Sequence, residues 1–182
     1  MFRALAAAFC AGCALAGAAF ADQTDARLDL FFDELKTAEA PEAERLTDRI
    51  VDVWGEAQAP TAQLLFDRAA EAEFAREADL ADELLTHLVG LYPSFAEGWA
   101  ARGRVRLAAG DVSAAENDLG KALTLEPRHF PSLMLAAQIR LSVNDEEGAL
   151  AAYLKALALN PHLENAKAAV RRLERRVSGQ GI

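Results

Sequence analysis

Cysteine is almost absent from this chain. The 182 residues hold only Cys10 and Cys13, and both precede the charged sequence that begins at Asp22. Once the leading segment is removed no thiol is left, which excludes a disulfide framework and a cysteine nucleophile. β-Branched residues are sparse beside Ala, Leu, Glu and Arg, so few strands are expected. Long apolar runs are missing after residue 21, where nothing approaches the roughly 20 apolar residues of a membrane span. Basic residues are outnumbered. Without Arg3 the 19 Lys and Arg become 18, against 28 Asp and Glu, a net of −10. Such a surface repels phosphate backbones and argues against nucleic acid as a partner. No Gly-rich phosphate loop or nucleophile elbow occurs, and no pair of carboxylates stands out for acid–base work. No catalytic residue, no metal and no cofactor is expected.

The first 21 residues have the layout of a secretory signal peptide. Arg3 supplies the positive charge, Ala4 to Phe20 is uncharged and rich in Ala, and Ala19-Phe20-Ala21 is a small-x-small cleavage site. Removal after Ala21 implies export, and a periplasmic location is the expectation. A second reading takes "CAGC", residues 10–13, as a lipoprotein signal with Cys13 the lipid attachment site.

The rest of the chain repeats itself. Prolines stand at 93, 127 and 161, thirty-four residues apart, and a fixed period of this size is the mark of a repeat architecture. In the stretches 62–95, 96–129 and 130–163, position 8 reads Ala69, Gly103, Ala137, and position 20 reads Ala81, Ala115, Ala149. These small residues suit the crossing of two antiparallel helices, A and B. Position 24 (Leu85, Leu119, Tyr153) fills the gap toward the next helix, and position 27 (Leu88, Ala122, Ala156) is apolar throughout. Position 15, where A turns into B, reads Arg76, Gly110, Asn144, and Gly and Asn tolerate the left-handed backbone that ends a helix. Each proline disfavours helix in the residue before it and so closes helix B. Ser94-Phe-Ala-Glu97 and Ser113-Ala-Ala-Glu116 have the form of capping boxes that open the next helices.

These columns resemble the tetratricopeptide repeat (TPR) family. Trp99, Gly103, Ala115, Leu119, Ala122 and Pro127 carry the likeness in the middle repeat, and Leu133, Ala137, Ala149, Tyr153, Ala156 and Pro161 in the third. The resemblance implies an all-α, right-handed superhelix of antiparallel helix pairs, an α-solenoid. It has three repeats (62–95, 96–129, 130–163), preceded by a helical hairpin over 22–61 that caps the stack. A capping helix follows over 164–177, then a disordered tail over 178–182. In the hairpin, Leu28, Phe31, Phe32 and Leu35 form one apolar stripe and Leu46, Ile50, Val53 and Trp54 another. In the last helix Ala166, Ala169, Val170 and Leu173 share a side, opposite a run of Arg and Lys expected to face solvent.

The family binds extended peptides or partner helices in a concave groove lined by the A helices. On this chain the resemblance places the groove at Gln63, Phe66, Glu73 and Phe74 of the first repeat. The second gives Glu97, Arg104 and Leu107, and the third Met134, Gln138 and Leu141, with Ala70, Ala100, Ala108, Pro131 and Ser142 among them. Some members clamp a peptide's terminal carboxylate with Lys at position 5 and Asn at position 9. Here those positions are Phe66, Ala100, Met134 and Ala70, Arg104, Gln138, so that clamp is not expected. Phe66, Phe74 and Met134 favour an apolar segment instead. Phe66 and Phe74 have an alternative role, packing against the N-terminal hairpin.

The family's aromatic at position 11 is replaced by Ala72, Arg106 and Arg140. These arginines either lay their stems over apolar surface and reach carboxylates, or Arg102, Arg104 and Arg106 line an anion-binding strip. His129 and His162 fall in the loops between hairpins and, like His87, lack the placed carboxylate of a metal site. Contact with carbonyls at helix ends is their expected role. The functional expectation is a non-enzymatic periplasmic adaptor or scaffold that holds a protein or peptide partner of the cell envelope. The alternative is a structural subunit of a homo-oligomer or envelope assembly, lipid-anchored if Cys13 is modified.

Overall fold

The computed structural model describes residues 25–57, 59–177 and 179. Among them run nine α-helices and no strand. They are α1 (Ala26–Leu35), α2 (Ala40–Gly55), α3 (Pro60–Phe74), α4 (Ala78–Leu91), α5 (Ala96–Ala108), α6 (Val112–Leu125), α7 (Phe130–Ser142), α8 (Glu146–Leu159) and α9 (Glu164–Val177). The expected signal peptide over 1–21 and the alternative lipid site at Cys13 lie outside the described residues, as does the tail expected to fray except for Gly179.

The three repeats are the hairpins α3–α4, α5–α6 and α7–α8. Their turns are built alike. Arg76, Gly110 and Asn144 all take the left-handed conformation, with φ of 63°, 88° and 60°. The next amide in each case (Glu77, Asp111, Asp145) donates to a carbonyl five residues back at 2.9 Å (Ala72, Arg106, Arg140), the wide loop of a Schellman ending. The helix B ends match too. Tyr92, Glu126 and Asn160, each followed by proline, leave the helical region with φ near −127° and ψ of 67°, 94° and 96°, as the steric demand of proline requires.

Arg76 alone among the three turn residues has a side chain poorly suited to positive φ. Arg76→Gly is expected to stabilise the protein by about 0.5–1 kcal/mol by releasing that strain. Gly110→Ala is expected to destabilise it by about 1 kcal/mol. A methyl group at Gly110 meets nothing within 4 Å, so its cost is conformational. Thermal unfolding followed by circular dichroism reads both signs.

Small residues at the helix crossings are buried as expected. Ala81, Ala115, Ala137 and Ala149 are fully enclosed, and a Cβ on Gly103 would lie 3.0 Å from the Leu119 side chain and 3.3 Å from the Ala115 carbonyl. The two capping boxes are not formed. α5 begins after Phe95, which offers no side-chain acceptor, and Glu97 turns inward to His129. α6 begins after Asp111, whose carboxylate accepts the Ala114 amide at 3.1 Å, and Asp145 does the same for Gly148 at the start of α8. Asp accepts at the N-cap as well as Ser does, and here it stands directly after the left-handed residue, two places before Ser113.

The largest departure concerns α1–α2. The apolar stripes form as the period predicts, with Leu28, Phe31, Phe32, Leu35, Leu46, Ile50, Val53 and Trp54 all buried. Instead of extending the stack ahead of the first repeat, this hairpin lies across the loops and first turns of the A helices. Its core is shared with Phe130, Leu133 and Ala156 of the third repeat. Trp54 packs, tilted, against His129 (ring centroids 4.5 Å) and Phe130 (5.3 Å), and Phe32 meets Phe130 edge-on at 6.4 Å. Polar ties fix the placement: Arg128 to Asp29 at 2.6 Å, and the Asn160 amide to Thr47 at 3.0 Å. His162 Nε2 donates to the Leu35 carbonyl at 3.0 Å, the helix-end contact expected of it. At the other end of the array α9 packs Ala166, Ala169, Val170 and Leu173 against Ala149 and Tyr153.

Candidate functional site

The face lined by α3, α5 and α7 divides in two. Its first turns lie under or beside the α1–α2 hairpin. Gln63 is half-buried and accepts the Ala57 amide at 2.7 Å. Phe66 packs edge-on against Phe95 at 5.5 Å within the first-repeat core and lies 3.6 Å from where a Cβ on Gly55 would stand. Glu97 is buried, with its carboxylate 2.7 Å from His129 Nε2. His129 Nδ1 accepts the Ser132 amide at 3.2 Å and caps α7, so Nε2 carries the proton and donates it to Glu97. Met134 packs among the hairpin core and Ala137. Of these four expected groove residues, Glu97 is buried and the other three are partly buried in packing or hydrogen-bonding contacts.

The second half of the face stays open. Phe74 is 93% exposed, Ala70, Ala108, Gln138 and Ser142 are exposed beside it in sequence register, and Leu107 and Leu141 are half-buried behind them. Glu73 and Arg104 form a bidentate pair with both bonds at 2.9 Å. The Arg104 guanidinium holds the Glu73 carboxyl below the usual carboxylate range. Of the two roles open for Phe66 and Phe74, the structure gives Phe66 to packing and leaves Phe74 free.

The other arginines are likewise committed to carboxylates, and the anion strip does not form. Arg102 is bidentate to the buried Asp118, at 2.8 and 2.7 Å, and lies over the Trp99 ring. Arg106 reaches Asp82 at 2.6 Å and Asp118 at 3.0 Å, and Arg140 reaches Asp145 at 3.0 Å. Position 11 thus exchanges the family's aromatic for a guanidinium that bridges carboxylates of its own and the preceding repeat. Asp118 and the buried Glu126, which accepts the Arg128 amide at 2.8 Å, went unrecognised in the sequence. The available signal for Asp118 was an acid in a column otherwise filled by Leu84 and Ala152. Among the described residues no three His, Cys, Asp or Glu are grouped so as to hold a metal ion. No helix there is long and apolar enough to cross a membrane.

No family model matches the chain. A TPR repeat-containing protein of Rhizobium etli is 27% identical over 154 residues, spanning 84% of this chain and 76% of the relative. The first TPR of Spaghetti (RPAP3), solved with the HSP90 peptide SRMEEVD, superposes with a TM-score of 0.62 at 18% identity, over 65% of this chain and 94% of that one. A crystal structure of MamA protein gives a TM-score of 0.60 at 16% identity, over 84% and 82% of the two chains. The fold is an α-solenoid of stacked helical hairpins. In its repeated columns, its turn geometry and these likenesses, the chain is similar to tetratricopeptide-repeat proteins in sequence and shares their fold.

Proposed function

We propose that this protein is a non-enzymatic adaptor of the periplasm, exported by residues 1–21, that holds an apolar peptide or helix of an envelope partner on the open half of its A-helix face. The observation that carries the reading is Phe74. A fully solvated aromatic costs hydrophobic free energy unless something covers it, and exposed aromatics flanked by polar rims are the usual anchors of protein contacts. The RPAP3 domain holding the HSP90 peptide supports peptide capture as the use of such a face. Its acidic peptide is a poor guide to chemistry here, because Arg104 already serves Glu73.

The test is a photoreactive amino acid placed at 74, and separately at Leu154, which is exposed on helix B of the third repeat. In living cells position 74 is expected to give one discrete crosslinked partner that position 154 does not. Phe74→Ala is expected to lower its capture by at least about tenfold while the helical signal is unchanged. Equal capture by the variant would remove Phe74, and the groove with it, from the partner's site.

A further inference from the structure

The two ends of the array differ. α9 covers the outer side of the last repeat, whereas no described residue covers the outer side of α3 and α4. It holds an open depression of about 440 Å³ lined by Arg68, Ala72, Ala75, Leu80 and Leu84, with Leu64 60% and Leu80 43% exposed. The inner junctions show what this side does when covered. Between the first and second repeats, Arg102 and Arg106 of α5 reach Thr86 and Asp82 of the helix stacked in front. Between the second and third, Arg140 of α7 meets Glu116 of α6 at 3.7 Å. Arg68 and Ala72 are the matching positions of the first repeat. Where Arg102 has Asp118 from its own helix B, Arg68 has Leu84.

We propose that a second copy of this chain covers this side, the two α3 helices crossing antiparallel about a two-fold axis. Arg68 and Glu71 stand one turn apart on the bare side, paired at 3.2 Å with both side chains about two-thirds exposed. An antiparallel copy sets each Arg68 opposite the other copy's Glu71, and the same axis sets Leu64 opposite the other copy's Ala75. The surface is therefore complementary to itself, the condition for an isologous contact. A bare end at one side only stops assembly at two, since a filament requires two free ends. The contact involves two helices per copy, smaller than the roughly 1,600 Å² of a standard interface, so the dimer is weak. The pairing is carried by Arg68, Glu71 and Leu80 and not by Phe74, so substitutions at those positions test it separately from the groove.

Sedimentation velocity on the protein purified from its own cells tests this. The mass is expected to pass from monomer to dimer between about 1 and 100 μM, the range of weak contacts. Arg68→Glu or Glu71→Arg alone sets like charges across the axis and is expected to weaken the dimer at least about tenfold. The double reversal Arg68→Glu/Glu71→Arg restores opposite charges and is expected to regain the dimer. Leu80→Lys is expected to abolish it with the helical signal intact. A monomer throughout the range, which would give the bare side to a different protein, overturns the proposal. So does a dimer indifferent to Arg68→Glu, or a double reversal no stronger than the single variants.

Discussion

Asp118→Ala is expected to lower the free energy of unfolding by about 3–5 kcal/mol, a large part of the roughly 5–15 kcal/mol of a typical domain. Asp118 is 2% exposed and takes bonds from Arg102 at 2.8 and 2.7 Å and from Arg106 at 3.0 Å. Its loss leaves the Arg102 guanidinium, itself buried, with only Thr86 at 3.2 Å and the Trp99 face. An ion buried without its counterion pays the desolvation cost with no return. The opposite deletion is expected to cost less. Arg102→Ala leaves Asp118 with Arg106 still donating to it. Replacing both partners with apolar residues, as in Arg102→Met/Asp118→Leu, removes both desolvation costs and is expected to recover most of the loss. Urea unfolding of the three variants gives the order. A loss below about 1 kcal/mol for Asp118→Ala would place this pair with ordinary surface ion pairs.

That network also shows where the sequence stops being legible. The solenoid could be read because its constraints are local and steric. A proline forbids helix one residue back, a left-handed turn selects its residue, and a helix crossing admits only small side chains. Tyr92, Gly110 and Ala115 each obey one of these rules within their own hairpin. The arginines were ambiguous because their partners come from other helices: Asp82 is 24 residues from Arg106, and Asp118 is 16 from Arg102. The caps lie one or two residues away from where the sequence pattern sets them. Ser94 and Ser113 have the right spacing to Glu97 and Glu116, but α5 starts one residue later than Ser94 requires, and α6 takes Asp111. The groove was half legible. An amphipathic stripe says that a helix buries one side. It does not say which surface receives it, and the receiver of α1–α2 is Phe130 and Leu133, about eighty residues downstream of Trp54. Once that hairpin is in place, Glu97 is buried against His129 and Met134 is partly buried against the hairpin core, while Phe74 remains exposed.

The docking of α1–α2 yields the second large effect. Trp54→Ala is expected to destabilise by about 3–5 kcal/mol, and to do so unevenly along the chain. Trp54 is 1% exposed and touches Phe32, His129 and Phe130 with ring centroids 5.9, 4.5 and 5.3 Å away, so it joins the hairpin to the array. The α5–α6 repeat draws its core from Ala115, Leu119 and Ile139 together with its own ion network, none of which Trp54 supplies. Local opening of the hairpin therefore comes before global unfolding. Amide exchange in 26–55 is expected to accelerate strongly in the variant, while 112–125 keeps its protection. Trp54→Phe is the informative control. The indole Nε1 is buried without a hydrogen-bond partner, and such a donor costs about 1–3 kcal/mol. Phenylalanine removes that cost along with some apolar contact, so its net loss is expected to be small. If Trp54→Ala instead loosened α6 as much as α2, the hairpin and the repeats would be one cooperative unit, and α1–α2 would belong to the array's core.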